Sequence, residues 1–233
     1  SKIKIKPDIF LNVDRPETAY VLGLLWSDGH VSNKVVSIEA KESDLSEVRD
    51  VFHSIGDWGE HRRQRSGWKP MLCLSVTSME ICELLHKFDY KSKSGASACK
   101  ILNHIPEHLH KYWWRGLFDG DGCFTYNHKI FAARIQISSC YLQDWEYLSH
   151  IEEKLGIKFH IINGKYINKI SGKTSSGSSA YIGNRSSIIK FMEYVYEGHE
   201  TDKIGFSRKI LKFKTWREEK RKLPHHKIKN DLL

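Results

Sequence analysis

Apolar residues recur along this chain with two different periods. Val35-Val36-Ser37-Ile38-Glu39-Ala40 alternates every second residue, and so does Phe131-Ala132-Ala133-Arg134-Ile135-Gln136-Ile137-Ser138. Both predict half-buried strands. A helical spacing follows each strand and stops at a glycine: Leu45, Val48, Val51, Phe52 and Ile55 before Gly56, then Leu142, Trp145, Leu148, Ile151 and Leu155 before Gly156. Glycine just past a helix supplies a left-handed cap. Polar or basic hairpins come next, Trp58 to Thr77 turning near Ser66-Gly67, and Lys158 to Gly183 turning within 171–177. Helices are then predicted over Met79–Phe88 and Ser186–Tyr196.

An apolar helix precedes each series. The first reads Gly23-Leu24-Leu25-Trp26-Ser27-Asp28-Gly29, with Pro16-Glu17 upstream; the second reads Gly116-Leu117-Phe118-Asp119-Gly120-Asp121-Gly122, with Pro106-Glu107 upstream. Each series closes on Lys-x-Gly-x-Ser, at Lys93 and at Lys203, and Lys-Ile-Leu recurs at Lys100 and Lys209. The order helix, two strands, helix, two strands, helix therefore occurs twice, which marks an internal duplication. The predicted class is α+β, two αββαββα halves at 1–99 and 107–216, a linker at 100–106 and a basic tail at 217–233 that includes Lys220, Arg221 and Lys222.

Composition narrows the functional classes. The 233 residues are 40% hydrophobic and 12% aromatic, enough for a core, and carry a formal charge of +9 with pI ≈ 9.2. That excess points to an acidic partner, nucleic acid first. No apolar run approaches the roughly 18–20 residues of a membrane span, so no membrane partner is expected. The start, Ser1-Lys2-Ile3-Lys4-Ile5-Lys6, lacks a signal-peptide core, and five widely spaced cysteines without C-x-x-C suit a reducing, intracellular, non-secreted setting. His104 and His108 lack the Glu of H-E-x-x-H, with Pro106 between them, so no zinc site is predicted there, in His110 or in His225-His226. Trp113 and Trp114 are assigned to the core.

The paired motif carries the chemistry. Gly23 and Ser27 lie on one helix face, as do Gly116 and Gly120, so the two helices can approach backbone to backbone. Pairing in parallel would set Asp28 and Asp121, 93 residues apart in sequence, side by side. Two close carboxylates repel unless a cation neutralises them, and oxygen ligands suit Mg²⁺. Carboxylates, a divalent ion and a basic surface point to phosphodiester hydrolysis. A single Asp-Gly would merely end a helix; its duplication argues for more.

These two motifs, at this spacing and within the repeated order, resemble those of a single-chain LAGLIDADG homing endonuclease, over roughly Glu17 to Leu211. The resemblance implies two pseudo-symmetric halves meeting at the motif helices, with antiparallel sheets forming a saddle over double-stranded DNA. It implies a monomer that cuts both strands of a long, asymmetric site across the minor groove and leaves 3′ overhangs. The cofactor would be Mg²⁺, with Mn²⁺ as a substitute and Ca²⁺ binding without turnover. Asp28 and Asp121 would be the metal ligands; Glu39 and Gln136 on the second strands, and Lys93 and Lys203 near the close of each half, would lie by the hydrolytic water. Trp26 departs from the pattern, which has an acid there; the second copy keeps Asp119. RNA is a partner only under the alternative reading, a splicing maturase or DNA-binding regulator without cleavage. A nuclease embedded in an intein is not expected, since nothing flanking the repeat has room for a splicing domain.

DNA-contact candidates come from strand parity. Ser37, Glu39 and Lys41 face away from the apolar side, as do Arg134, Gln136 and Ser138. In the first hairpin, a two-residue turn at Ser66-Gly67 would put Arg62 and Gln64 on the outer face with Lys69, Met71 and Ser75, leaving Arg63 and Arg65 for phosphates near the tip. In the second, Lys165, Tyr166, Lys169, Lys173 and Tyr181 take similar roles.

Overall fold

In the computed structural model, residues 5–64, 66–129, 132–167 and 174–221 are described. In chain order the first half holds α1 (Asp8–Leu11), α2 (Pro16–Ser27), β1 (Gly29–Val31), β2 (Val35–Lys41), α3 (Glu42–Leu45), α4 (Arg49–Ser54), β3 (Gly59–Arg63), β4 (Met71–Thr77), α5 (Met79–Lys87) and α6 (Cys99–His104). The second holds a 3₁₀ turn (Glu107–Leu109), α7 (His110–Asp121), β5 (Gly122–Tyr126), β6 (Ala133–Ser139), α8 (Leu148–Leu155), β7 (His160–Ile167), β8 (Thr174–Ile182), α9 (Arg185–Val195), α10 (His199–Asp202) and α11 (Ser207–Arg221).

The strands form two antiparallel sheets with matching order, β1-β2-β4-β3 and β5-β6-β8-β7. One face of each sheet is buried by the predicted alternation: Val36, Ile38, Leu72 and Leu74 in the first, Ile135, Ile137, Ala180 and Ile182 in the second. Between the halves, α2 packs along α7. Pro16 opens α2 where a missing N–H costs nothing, and every residue from Thr18 to Trp26 is buried. A helix apolar on all sides needs two covers; here the partner helix is one and its own half the other.

Several boundaries differ from the sequence expectation. The spacing over 45–55 splits into α3 and α4, and that over 142–155 becomes helical only from Leu148, though Gly156 is left-handed as predicted (φ 58°). The linker is largely helical, with Ile101, Leu102 and Ile105 buried. The boundary at 217 falls inside α11, which buries Trp216 and pairs Arg217 with Glu193.

The hairpins hold the largest corrections. β3 and β4 are joined by residues 64–70, not by a two-residue turn, and Arg63 sits opposite Met71. A one-residue change of register exchanges the faces. Arg63 therefore shares the outer face with Met71 and Ser75. Arg62 falls opposite Leu72 on the inner side, where its exposed guanidinium pairs with Glu42 at 2.6 Å. Gln64 lies in the loop, donating to Trp68 O at 3.1 Å; Lys69 is also in that loop, and Arg65 is outside the described residues. In the second hairpin β8 already begins at Thr174, so Ser175–Gly177 are strand rather than turn. Lys165 pairs with Ser176 in the register that carries Ala180 inward, and Tyr166 pairs with Ser175. Lys169 and Lys173 lie outside the described residues.

Candidate functional site

The approach of α2 to α7 is set by the absence of side chains. A Cβ on Gly23 would fall 2.0 Å from Trp113 O, one on Gly116 2.2 Å from Tyr20 O, and one on Gly120 1.9 Å from Ser27 Oγ. The four small residues predicted for the interface are thus all in it. Both helices end together. Asp28 caps α2, donating its N–H to Leu24 O at 3.0 Å, and Asp121 is the last residue of α7. The glycine after each aspartate is needed for space: a Cβ would come 2.4 Å from Leu25 O at Gly29, and 2.4 Å from Phe118 O at Gly122. The chain folds back over the last helical turn, which holds each carboxylate where helix becomes strand. A Cβ on Gly120 would fall 3.0 Å from Asp28 Oδ2, so the Asp28 carboxylate sits against the final turn of the opposite helix.

Burial pushes the Asp121 carboxyl up to about 7, with the Asp28 charge adding to it. Burial also raises Asp28, opposed by Lys93 and then Lys209. Those two lysines complete the site. Lys93 Nζ donates to Ser27 O at 2.9 Å, Gly29 O at 2.7 Å and Leu25 O at 3.2 Å, using all three of its hydrogens. Lys209 Nζ donates to Gly122 O at 2.5 Å and to Phe118 O. Each ammonium thus sits at the negative end of a motif helix. Burial lowers both to about 8, against the pull of Asp121 and Asp28 on Lys93 and of Asp119 and Asp28 on Lys209.

Lys209 therefore occupies the place expected of Lys203. Lys203 is exposed and caps α10 with a left-handed backbone (φ 57°). The segment after it is drawn into the core, where Gly205 packs on Arg115 and Asp119 and Phe206 N donates to Asp119 at 2.8 Å. The ammonium comes instead from the first turn of α11. The repeated Lys-Ile-Leu was a signal for it, although the matching Lys100 is a surface residue paired with Asp89.

A second mismatch lies on the strands. Gly29 pairs with Ile38 and Gly122 with Ile137, so Glu39 in β2 corresponds to Ser138 in β6, not to Gln136. Gln136 Nε2 donates to Ser138 Oγ at 2.9 Å and Ser179 Oγ at 3.1 Å; Glu39 is held by Arg63. The hairpin from β5 to β6 is longer than that from β1 to β2, so equal distances from the two aspartates do not reach equal places on the second strands. Both residues are on the outer faces as predicted, with Ser37, Lys41, Met71 and Ser75 in the first sheet and Ser138, Arg134 and Tyr181 in the second. The Arg134 guanidinium stacks 3.8 Å over the Tyr181 ring. Exposed His30 and Trp68 near these faces gave no motif in the sequence.

Trp26 and Asp119 explain the unequal motifs. Trp26 is buried edge-on against Tyr90, whose hydroxyl donates to Leu22 O at 2.8 Å. Asp119 is buried and accepts from Tyr196 at 2.5 Å, Tyr20 at 3.0 Å and Phe206 N. The position is a packing site in both halves, apart from the Asp28–Asp121 pair.

Among the described residues, no group of three or more His, Cys, Asp or Glu could hold a metal. Two neighbouring carboxylates, with the Asp28 charge raising the cost of ionising Asp121, still fit a hard dication that keeps several waters. Among the described residues no helix is long and apolar enough to cross a membrane.

No family profile matches the chain. It is 23% identical over 220 residues to the ribonucleoside-diphosphate reductase NrdEB subunit alpha of Bacillus subtilis (strain 168), and equally to that of Bacillus phage SPbeta. The match covers 84% of this chain but 20% of each reductase, so the chain spans about a fifth of the curated relatives it matches. Among solved structures, I-DmoI in complex with DNA and Ca superposes with TM-score 0.50 at 13% identity, over 79% of this chain and 91% of that one. The homing endonuclease I-WcaI bound to its DNA recognition sequence gives 0.48 at 19% identity, over 90% and 87%. The first likeness establishes a shared fold.

Proposed function

We propose that this chain is a site-specific endonuclease that hydrolyses both strands of a long, asymmetric DNA duplex, acting as a monomer and leaving 3′ overhangs. One observation carries the reading: two carboxylates, the half-buried Asp121 and the more open Asp28, meet at the same end of paired helices, beside the half-buried Lys93 and the buried Lys209. The fold shared with a protein seen with DNA and Ca supports it, as do the charge of +9 and the two polar sheet faces. Asp28 and Asp121 would hold Mg²⁺, or Mn²⁺ in its place. When bound, the ion supplies polarisation of the phosphate and an activated water. Lys93 and Lys209 place fixed positive charge beside the site, and Gly29 and Gly122 lead the chain directly into the outer strands.

The test is incubation with a randomised duplex library and Mg²⁺, followed by sequencing of the ends. Enriched cuts that vanish in Asp28→Asn and Asp121→Asn are expected. Tight duplex binding without cuts in Mg²⁺ or Mn²⁺ would replace this reading with a regulator or maturase that lacks cleavage.

A further inference from the structure

On the outer face of the first sheet, Arg63 of β3 reaches past β4 to Glu39 of β2, Nη1 to Oε2 at 3.0 Å. With Lys41, Trp68, Lys69 and Met71 the pair lines a cavity of about 400 Å³. Trp68 is 71% exposed, the most exposed large apolar side chain among the described residues.

Three features separate this cluster from an ordinary surface ion pair. A carboxylate at 3.0 Å cancels the guanidinium charge, which makes the pair a weak anchor for phosphate. The two side chains are 49% and 36% exposed, and ion pairs that wet add little to stability. Arg63 donates one N–H to Glu39, and its planar fork carries further donors in a side chain that lines the same cavity as Trp68 and Met71. A fork fixed from one side and still open to solvent on the other matches the adjacent O6 and N7 acceptors of guanine in the major groove.

We infer that Arg63 reads a guanine of the duplex target, with Glu39 as its positioning residue and Trp68 as the apolar wall of the pocket. This rests on the endonuclease reading for its duplex partner. It gives Glu39 a task on the DNA-facing sheet in place of one at the hydrolytic water.

The test is selection of bound duplexes from a randomised library by the full chain in Ca²⁺, followed by titrations of the selected duplex at several salt concentrations. Replacing the guanine is expected to weaken wild-type binding roughly 10- to 100-fold. R63K keeps the charge but not the fork, and should lose the preference at that position alone. The charge-neutral double variant E39A/R63A should lose the same preference with an unchanged salt slope. E39Q should weaken the preference and steepen the slope, because it frees the Arg63 charge; a merely structural Glu39 would move neither. Unchanged melting by circular dichroism certifies each variant as folded. A double variant that binds every sequence more weakly with a shallower slope would make Arg63 a phosphate contact and overturn the inference, as would an R63K protein that keeps the guanine preference. A wild-type chain that binds no duplex would overturn the endonuclease reading itself, and this with it.

Discussion

At the scale of single residues, Asp121 is a carboxylate whose surroundings oppose its charge. With its carboxyl held near 7 in the folded chain, the folded state keeps a proton that the unfolded chain releases at its ordinary value near 4. Between those values the native state binds more protons, so stability falls as pH rises. Metal-free protein should lose stability on the order of 3 kcal/mol between pH 4 and 7.5, followed by thermal melts. Mg²⁺ should restore it at pH 7.5, and Asp121→Asn should flatten the profile. Lys93 and Lys209, lowered to about 8, act with the opposite sign and only above that window. Lys209→Met should cut cleavage about 100-fold or more, against less than about twofold for Lys203→Met, in a single-turnover assay. The aspartates were legible because their type, spacing and flanking glycines recur together. Lys209 was not, because its place depends on Ile204 and Phe206 being drawn into the core, which a matching Lys-x-Gly-x-Ser cannot reveal.

At the scale of elements, the motif helices are fixed by backbone contact rather than by interlocking side chains. Gly116→Ala places a methyl 2.2 Å from Tyr20 O and 2.6 Å from Leu24 N, both backbone atoms. Neither can move without parting the helices, so a loss of roughly 3 kcal/mol or more is expected by urea denaturation. Gly67, at φ 76° with open space around it, should tolerate alanine with a smaller loss, about 1 kcal/mol, confined to backbone strain. The same elements show how far periodicity reaches. Alternation placed β2 and β6 and their faces correctly. It could not set the β3 register, because Glu60-His61-Arg62-Arg63 has no apolar residue to name the buried side, and a turn assumed at Ser66-Gly67 exchanged the faces of Arg62 and Arg63. The unequal first hairpins of the two halves likewise hid the match of Glu39 with Ser138.

At the scale of the whole molecule, the charge of +9 sets how the protein meets a polyanion. If about six phosphates are neutralised, duplex affinity should fall about a thousandfold between 50 and 200 mM salt, measured by fluorescence anisotropy. A flat salt response would remove the electrostatic basis for the proposed saddle. The two halves are also strapped to each other away from the motif glycines. Arg208 of α11 grips Asp44 of α3 at 2.9 and 3.0 Å, Ser207 N donates to Glu47 at 2.8 Å, and Gln143 reaches Ala96 O at 2.8 Å. The Tyr20 hydroxyl crosses the helix pair to a fully enclosed carboxylate, Asp119. That last bond constrains anyone who would build new specificities by exchanging modules between related proteins. A transplanted first half lacking a hydroxyl at the Tyr20 position would leave its new companion with an acid one donor short. Such hybrids would fail in assembly before their recognition surfaces were ever tried, and a tyrosine restored at that one site is the graft that should rescue them.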